Sequence, residues 1–193
     1  MRYTQLELNE KEICNFAEAR NRLLANPAIA PGEWVFFVDN DESVSPQLGA
    51  EIRKLKTPAG VNGYFVPRKG IVEEKLLRLG RKGSGLWRRA VHETWEIKGK
   101  VGVLRNTLLH HDNLSLAEQI TKINFYSTLH AQANRDEGKK ATVFKIAVFP
   151  ILKFWQTFLV KKAYKSGMKG FVFSLMQAFG SFLAWTKLYF LQS

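Results

Sequence analysis

The chain is poor in several things that would otherwise direct its reading. It has one cysteine, Cys14, in 193 residues. That excludes an internal disulfide framework and a multi-cysteine zinc site, fits a reducing compartment, and leaves Cys14 a structural reading. No apolar run opens the chain: Arg2, Glu7, Glu10, Lys11 and Glu12 all fall within its first fifteen residues, so no signal peptide is expected there and the N-terminal region reads as cytosolic. Internal repeats and low-complexity tracts are lacking too. From residue 139 onward there is not one acidic side chain, against nine lysines.

What remains is ample for a packed core. Hydrophobic residues make up 46% and charged residues 24%, which argues against a wholly disordered chain. The formal charge of +12 calls for an anionic partner or surface. The length suits one domain better than two.

Residues 10–25 space Ile13, Phe16, Ala17, Ala19, Leu23 and Leu24 as a helical face ending near Asn26-Pro27. Trp34-Val35-Phe36-Phe37-Val38 then reads as a strand buried on both faces, since its apolar residues are continuous rather than alternating. Ser45-Pro46 places an N-cap before a proline at the first helical position, and Leu48, Ile52 and Leu55 supply the stripe. From Val61 to Leu109 glycines separate short runs that read as strands or ribbons. Ser115-Leu116-Ala117-Glu118 fits a capping box and opens a helix to about residue 134. Asn134 to Lys140 is a polar connector, so the expected division is residues 1–138 and residues 139–193.

In the acid-free stretch, aromatic residues alternate with lysines, and Pro150 is expected to kink or divide the first helix. Gly170 to Thr186 carries no charge but is short for crossing a bilayer, with Ser174, Gln177 and Ser181 on one stripe. Helices lying in an anionic membrane interface, lysine heads in the headgroups, are the preferred reading over a hairpin packed on the protein's own core. A nucleic-acid partner is the weaker alternative.

The sharpest chemical signal is Asp39-Asn40-Asp41-Glu42, directly after the buried strand. Carboxylates at i and i+2 at a strand end present hard oxygen ligands to Mg2+ or Mn2+ beside a diphosphate, where ligands of open α/β sheets gather. The plainer alternative is an acidic loop capping the next helix. A phosphatase of the haloacid dehalogenase type would also use a leading Asp, but it needs a downstream lysine and an acidic pair for the metal. The only adjacent pair downstream of the last strand-like run, Asp136-Glu137, falls in the polar connector.

The run Phe16-Ala17-Glu18-Ala19-Arg20-Asn21, then Gly32 to Glu42 and Val44-Ser45, resembles the middle of bacterial family 2 glycosyltransferases of the GT-A fold. The likeness is to the branch that builds lipopolysaccharide core and related envelope glycans. Tyr64 to Arg68, Leu77-Arg78-Leu79, Val91-His92-Glu93, Leu104 to His110 and Gly167 to Phe171 continue it. Such enzymes begin with a strand, a helix and a second strand that hold the base, and residues 1–15 would follow that portion, so the chain is expected to be a truncated GT-A-like domain. The resemblance implies an α/β fold, a partial Rossmann-like mixed sheet with C-terminal amphipathic helices. It also implies inverting transfer of a hexose or heptose from a nucleotide-sugar donor to an envelope glycan or lipid-linked acceptor at the cytoplasmic face of the bacterial inner membrane.

Residue by residue, the resemblance puts Asp39 near the donor ribose and phosphates and Asp41 on the divalent metal, with Arg20 and Asn21 on the donor side. Glu93 becomes the general base toward the acceptor hydroxyl, with His92 orienting the acceptor or tuning that carboxylate. His110 or His111 completes the metal shell. Arg68, Arg78, Arg81, Lys82, Arg88 and Arg89 form a basic stretch suited to a phosphorylated acceptor, or else a solvated cationic ribbon. The competing class is a non-catalytic peripheral membrane module that retains the fold.

Overall fold

In the computed structural model, which describes residues 1–8, 13–111 and 114–192, the chain forms two compact units, Met1–Asp112 and Asn113–Ser193. The break precedes the capping-box helix rather than following it at 138, because that helix packs within the second unit.

The first unit is a mixed α/β sheet. Strand β1 (Thr4–Leu8) leads to helix α1 (Phe16–Leu24) and then to β2 (Trp34–Asp39), which lies parallel to β1, a β-α-β unit. Residues 10–12, expected to begin the helix, lie outside the described residues; α1 itself starts behind Asn15, whose side chain accepts from the Glu18 N–H. Strand β3 (Glu42–Val44) and helix α2 (Pro46–Lys54) follow, with Ser45 capping α2 as its position before Pro46 predicts. Then come β4 (Val61–Lys69), β5 (Glu73–Arg81), β6 (Gly85–Arg88), β7 (Thr94–Ile97), β8 (Lys100–Val103) and β9 (Leu108–His110). The sheet order is β1-β2-β5-β4-β9-β3, with β8 and β9 sharing successive stretches of one edge of β4. β6 and β7 form a separate hairpin.

β2 is buried on both faces, for the reason its unbroken apolar run suggests. Trp34, Phe36 and Val38 pack with Leu48 and Ile52 of α2 and with Tyr64, Val66 and Leu79. Val35 and Phe37 face the other way, onto Leu6, Ala17 and Leu24 and onto Trp87 and Trp95 of the hairpin. Trp87 and Trp95 are directly opposite in register and stack at 5.3 Å, each meeting Phe37 edge-on. Gly80 makes room for this: a Cβ there would stand 2.7 Å from the Trp95 ring.

The second unit is helical: α3 (Leu116–Asp136), α4 (Val143–Trp155) continuing into a π-helical turn at Gln156–Val160, a 3-10 turn at Ala163–Ser166, and α5 (Gly167–Leu191). The capping box at Ser115 and Glu118 is made in full. α4 runs through Pro150, and the expected break comes at Lys161–Lys162 instead, where Lys162 takes a left-handed conformation (φ 59°). α5 packs against both α3 and α4.

Candidate functional site

Asp39 closes β2 on the same face as Val35 and Phe37, the side that α1 covers, and this alternation points it at Arg20. Arg20 is 2% exposed. Its guanidinium lies against the rings of both Phe37 and Trp87, 5.3 and 4.8 Å from their centroids. Nη2 donates to Asp39 Oδ1 at 2.8 Å and Nε to Glu93 Oε1 at 3.0 Å. The remaining Nη1 is buried with no hydrogen-bond partner.

Arg78 on β5 grips the same carboxylate, donating to Asp39 Oδ2 at 2.6 Å. Glu42 lies behind, accepting the Asp39 backbone N–H at 3.0 Å and facing Arg78 at 3.6 Å and Arg68 at 3.3 Å. Arg68 also donates to Glu74 at 2.7 Å. Four carboxylates thus interlock with three guanidiniums, leaving a cluster that is not cationic.

Burial alone would raise the Asp39 carboxyl, but the charges of Arg78 and Arg20 outweigh it and hold Asp39 below the usual carboxylate range. Burial, followed by the neighbouring Arg78 charge, pulls the Arg20 guanidinium below its ordinary value, which Asp39 and Glu93 only partly offset. Burial would also lower Arg78, yet Asp39 and Glu42 carry it above its ordinary value.

The loop that delivers Glu93 is tightly constrained. Between β6 and β7 both Arg89 (φ 70°) and His92 (φ 53°) adopt the left-handed region, uncommon for residues with a side chain. The loop is held by the Phe16 N–H donating to Ala90 O at 2.9 Å and by burial of Val91. His92 itself is exposed.

Asp41 meets a histidine. The antiparallel pairing of β3 with β9 sets the strands side by side, and His110 Nε2 comes to 3.3 Å from Asp41 Oδ2. Both side chains retain solvent access, 33% for Asp41 and 16% for His110. His111 instead meets Ser43 Oγ at 2.8 Å. Of the expected metal set, Asp41 and His110 are brought together while Asp39 is spent on guanidiniums. Among the described residues no three His, Cys, Asp or Glu side chains gather as a metal centre. An oxygen and an imidazole donor, open to solvent, do fit a divalent ion that takes its other ligands from water and a diphosphate; the imidazole suits Mn2+ better than Mg2+.

Other expectations meet a structural use. Asn21 donates through Nδ2 to Trp87 O at 3.0 Å and accepts the Trp87 N–H at 2.9 Å, clasping β6 to α1 with both ends of its carboxamide. The basic stretch does not form one acceptor patch. Arg78 is buried on Asp39, and Arg81 donates to Gly32 O and covers the Trp34 ring. Lys82 ties Asn26 O and Ile29 O, and Arg88 faces Glu96 at 3.5 Å. Arg68, Arg78, Glu42 and Glu74 are the members of the cluster that local sequence does not assign to it. An arginine inside the apolar run Leu76-Leu77-Arg78-Leu79 was the available signal, since a charge there demands a buried counter-ion.

The similarity of this chain to known proteins falls on glycosyltransferases. It is 29% identical over 171 residues to the lipopolysaccharide core biosynthesis glycosyltransferase LpsC of Rhizobium meliloti, covering 81% of this chain and 63% of that protein. Uncharacterized glycosyltransferases of Rickettsia conorii and Rickettsia prowazekii are 26% and 27% identical, over 83% and 81% of this chain and 66% and 62% of their own lengths. The chain thus spans a little under two thirds of the curated relatives it matches. No family model matches the sequence.

Proposed function

We propose that the chain takes part in inverting, family 2 type transfer of a hexose or heptose from a nucleotide sugar to an envelope glycan or lipid-linked acceptor. The observation that carries this reading is the convergence of Arg20, Asp39, Arg78 and Glu93, distant in sequence, at the carboxyl end of β2, with Asp41 and His110 at the adjoining strand pair. The similarity to proteins named glycosyltransferases over most of the chain supports it.

In this reading Asp41 and His110 hold a divalent cation, which when bound neutralises charge building on the departing nucleoside diphosphate. Asp39 is a fixed anion, aligned by Arg20 and Arg78 so that the loop leading to Asp41 leaves β2 in one direction. Glu93, in contact with Arg20, accepts the proton of the acceptor hydroxyl as that oxygen attacks the anomeric carbon. Arg20 touches both Asp39 and Glu93 and holds the two carboxylates in one rigid unit.

The competing reading, a fold that holds its charges for stability alone, draws on the double arginine grip of Asp39. Release of nucleoside diphosphate from UDP-, GDP- and ADP-sugars separates the two. Release that requires Mn2+ or Mg2+ and falls at least about a hundredfold in Asp41→Ala and Glu93→Gln is expected. Equal release by those variants, or release unaffected by chelator, contradicts the catalytic assignment.

A further inference from the structure

The second unit is built inside-out for a water-soluble helical bundle. Along α5, positions 170, 174, 177, 181, 184 and 188 form one stripe, and these are Gly, Ser, Gln, Ser, Ala and Leu. Gly170, Ser174, Ala184 and Leu188 on it are buried, and Gln177 and Ser181 half-buried. Ser174 satisfies its hydroxyl within the helix, on Gly170 O at 2.8 Å. Gly170 lets the preceding turn close, since a Cβ there would collide with Ala163 O. The polar stripe that counts against membrane insertion in the bare sequence is therefore a helix-packing seam, of the small-residue kind that brings helices close where no water drives them together.

The large apolar side chains face outward instead. Phe171, Leu175, Phe179 and Phe182 recur at helical spacing on the exposed side of α5. On α4 and its π-helical continuation no apolar side chain is buried, and Phe144, Ile151, Trp155 and Leu159 are at least half exposed. Such a surface is far beyond the isolated apolar residues that ordinary soluble domains show. At the turn between the two helices stand Lys161, Lys162, Lys165 and Lys169, all exposed, and Lys139 and Lys140 mark the other end of the hairpin.

We infer that the outer face of the α4–α5 hairpin docks in the plane of an anionic lipid leaflet, with both lysine groups at headgroup level. This holds whether or not the first unit is a transferase. A leaflet matches both features, taking the aromatic faces into its acyl boundary and pairing the lysines with lipid phosphate or carboxylate. A second copy of the hairpin does not match at the turn, because it brings Lys161, Lys162, Lys165 and Lys169 there again with no acid; the acid of the other end, Glu137, is already paired with Lys139 at 2.6 Å.

Crossing the bilayer is disfavoured by what flanks the hairpin. The stretch Val143–Val160 is long and apolar enough to span, but Lys153 sits inside it. Either orientation of a spanning hairpin sends one lysine group through the hydrocarbon. α5 is moreover tied along α3, where Lys187 Nζ meets Asn124 Oδ1, Ser127 Oγ and Thr128 Oγ1 at 2.7–2.8 Å. α3 carries Glu118, Lys122, Arg135 and Asp136 exposed, so it belongs on the aqueous side.

The test is flotation of the full chain with phosphatidylcholine vesicles with and without phosphatidylglycerol, together with tryptophan quenching by lipids brominated near the headgroup or near the chain ends. Flotation with the anionic vesicles is expected, at least about tenfold weaker when Lys161, Lys165 and Lys169 are all changed to Gln and the variant keeps its circular dichroism. Headgroup-proximal bromines are expected to quench more strongly, and Trp155→Phe combined with Trp185→Phe to remove most of that quenching, because the other three tryptophans, Trp34, Trp87 and Trp95, are buried in the first unit. Strongest quenching from the chain ends, with flotation resistant to salt and to the lysine changes, overturns the in-plane assignment in favour of spanning. A chain that stays with the aqueous fraction and sediments as a dimer through this face overturns the lipid assignment altogether.

Discussion

Asp39 and Asp41 are two residues apart and do different work. Asp39 is the shared counter-ion of two buried guanidiniums; Asp41 has solvent on one side and a histidine on the other. Removing one partner of a buried ion pair strands the other, at about 3 kcal/mol or more, whereas a partly exposed pair contributes about 1 kcal/mol or less. Urea unfolding should therefore show Asp39→Ala destabilised by about 3 kcal/mol and Asp41→Ala by less than about 1 kcal/mol. Equal losses would mean that the two carboxylates have not divided structure from chemistry in this way. The acidic motif itself was legible in the sequence, because it follows an apolar run at a strand end. The division of labour was not: it depends on Arg78 lying on the neighbouring antiparallel strand β5, a pairing set by register, which single-sequence spacing does not encode.

At the scale of elements, the hairpin β6–β7 reaches the sheet only because β5 presents a glycine beneath Trp95. Gly80→Ala places a methyl 2.7 Å from that ring on a paired strand that cannot easily move aside. Overpacking of this kind costs about 1–3 kcal/mol. The expected result is a lower urea midpoint with a weakened near-ultraviolet signal from the stacked Trp87 and Trp95, and a midpoint equal to wild type would show that the hairpin is not seated by Gly80. Elements with strong local signals were readable in advance: β2 from its continuous apolar run, α2 from Ser45-Pro46, α3 from its capping box. β1 carries no such signal: Leu6 and Leu8 alternate as a half-buried strand should, but two apolar residues are too few to stand out without β2 beside them. Pro150 predicts a kink or a division, yet α4 carries it in its interior; the helix ends where Lys162 turns left-handed.

On the scale of the whole molecule, the chain pairs a charge-locked α/β unit with a helical unit whose outer face is apolar and whose last fifty-five residues hold no acid. The contrast was visible in composition, since charge balance in the first part gives way to lysine alone in the second. Which face of the helices is packed was not, because small polar residues mark the wet side of a soluble helix and the packed side of a lipid-facing one. The proposed function stands or falls with Asp41 and His110 as the place where a divalent ion meets a nucleoside diphosphate. The direct measurement is a Mn2+ titration followed by electron paramagnetic resonance, with UDP, GDP and ADP added in turn, on wild type and Asp41→Ala. Mn2+ binding is expected to tighten with at least one of the three nucleotides and to weaken at least about tenfold in Asp41→Ala; equal affinity in the two proteins would rule out Asp41 as a ligand.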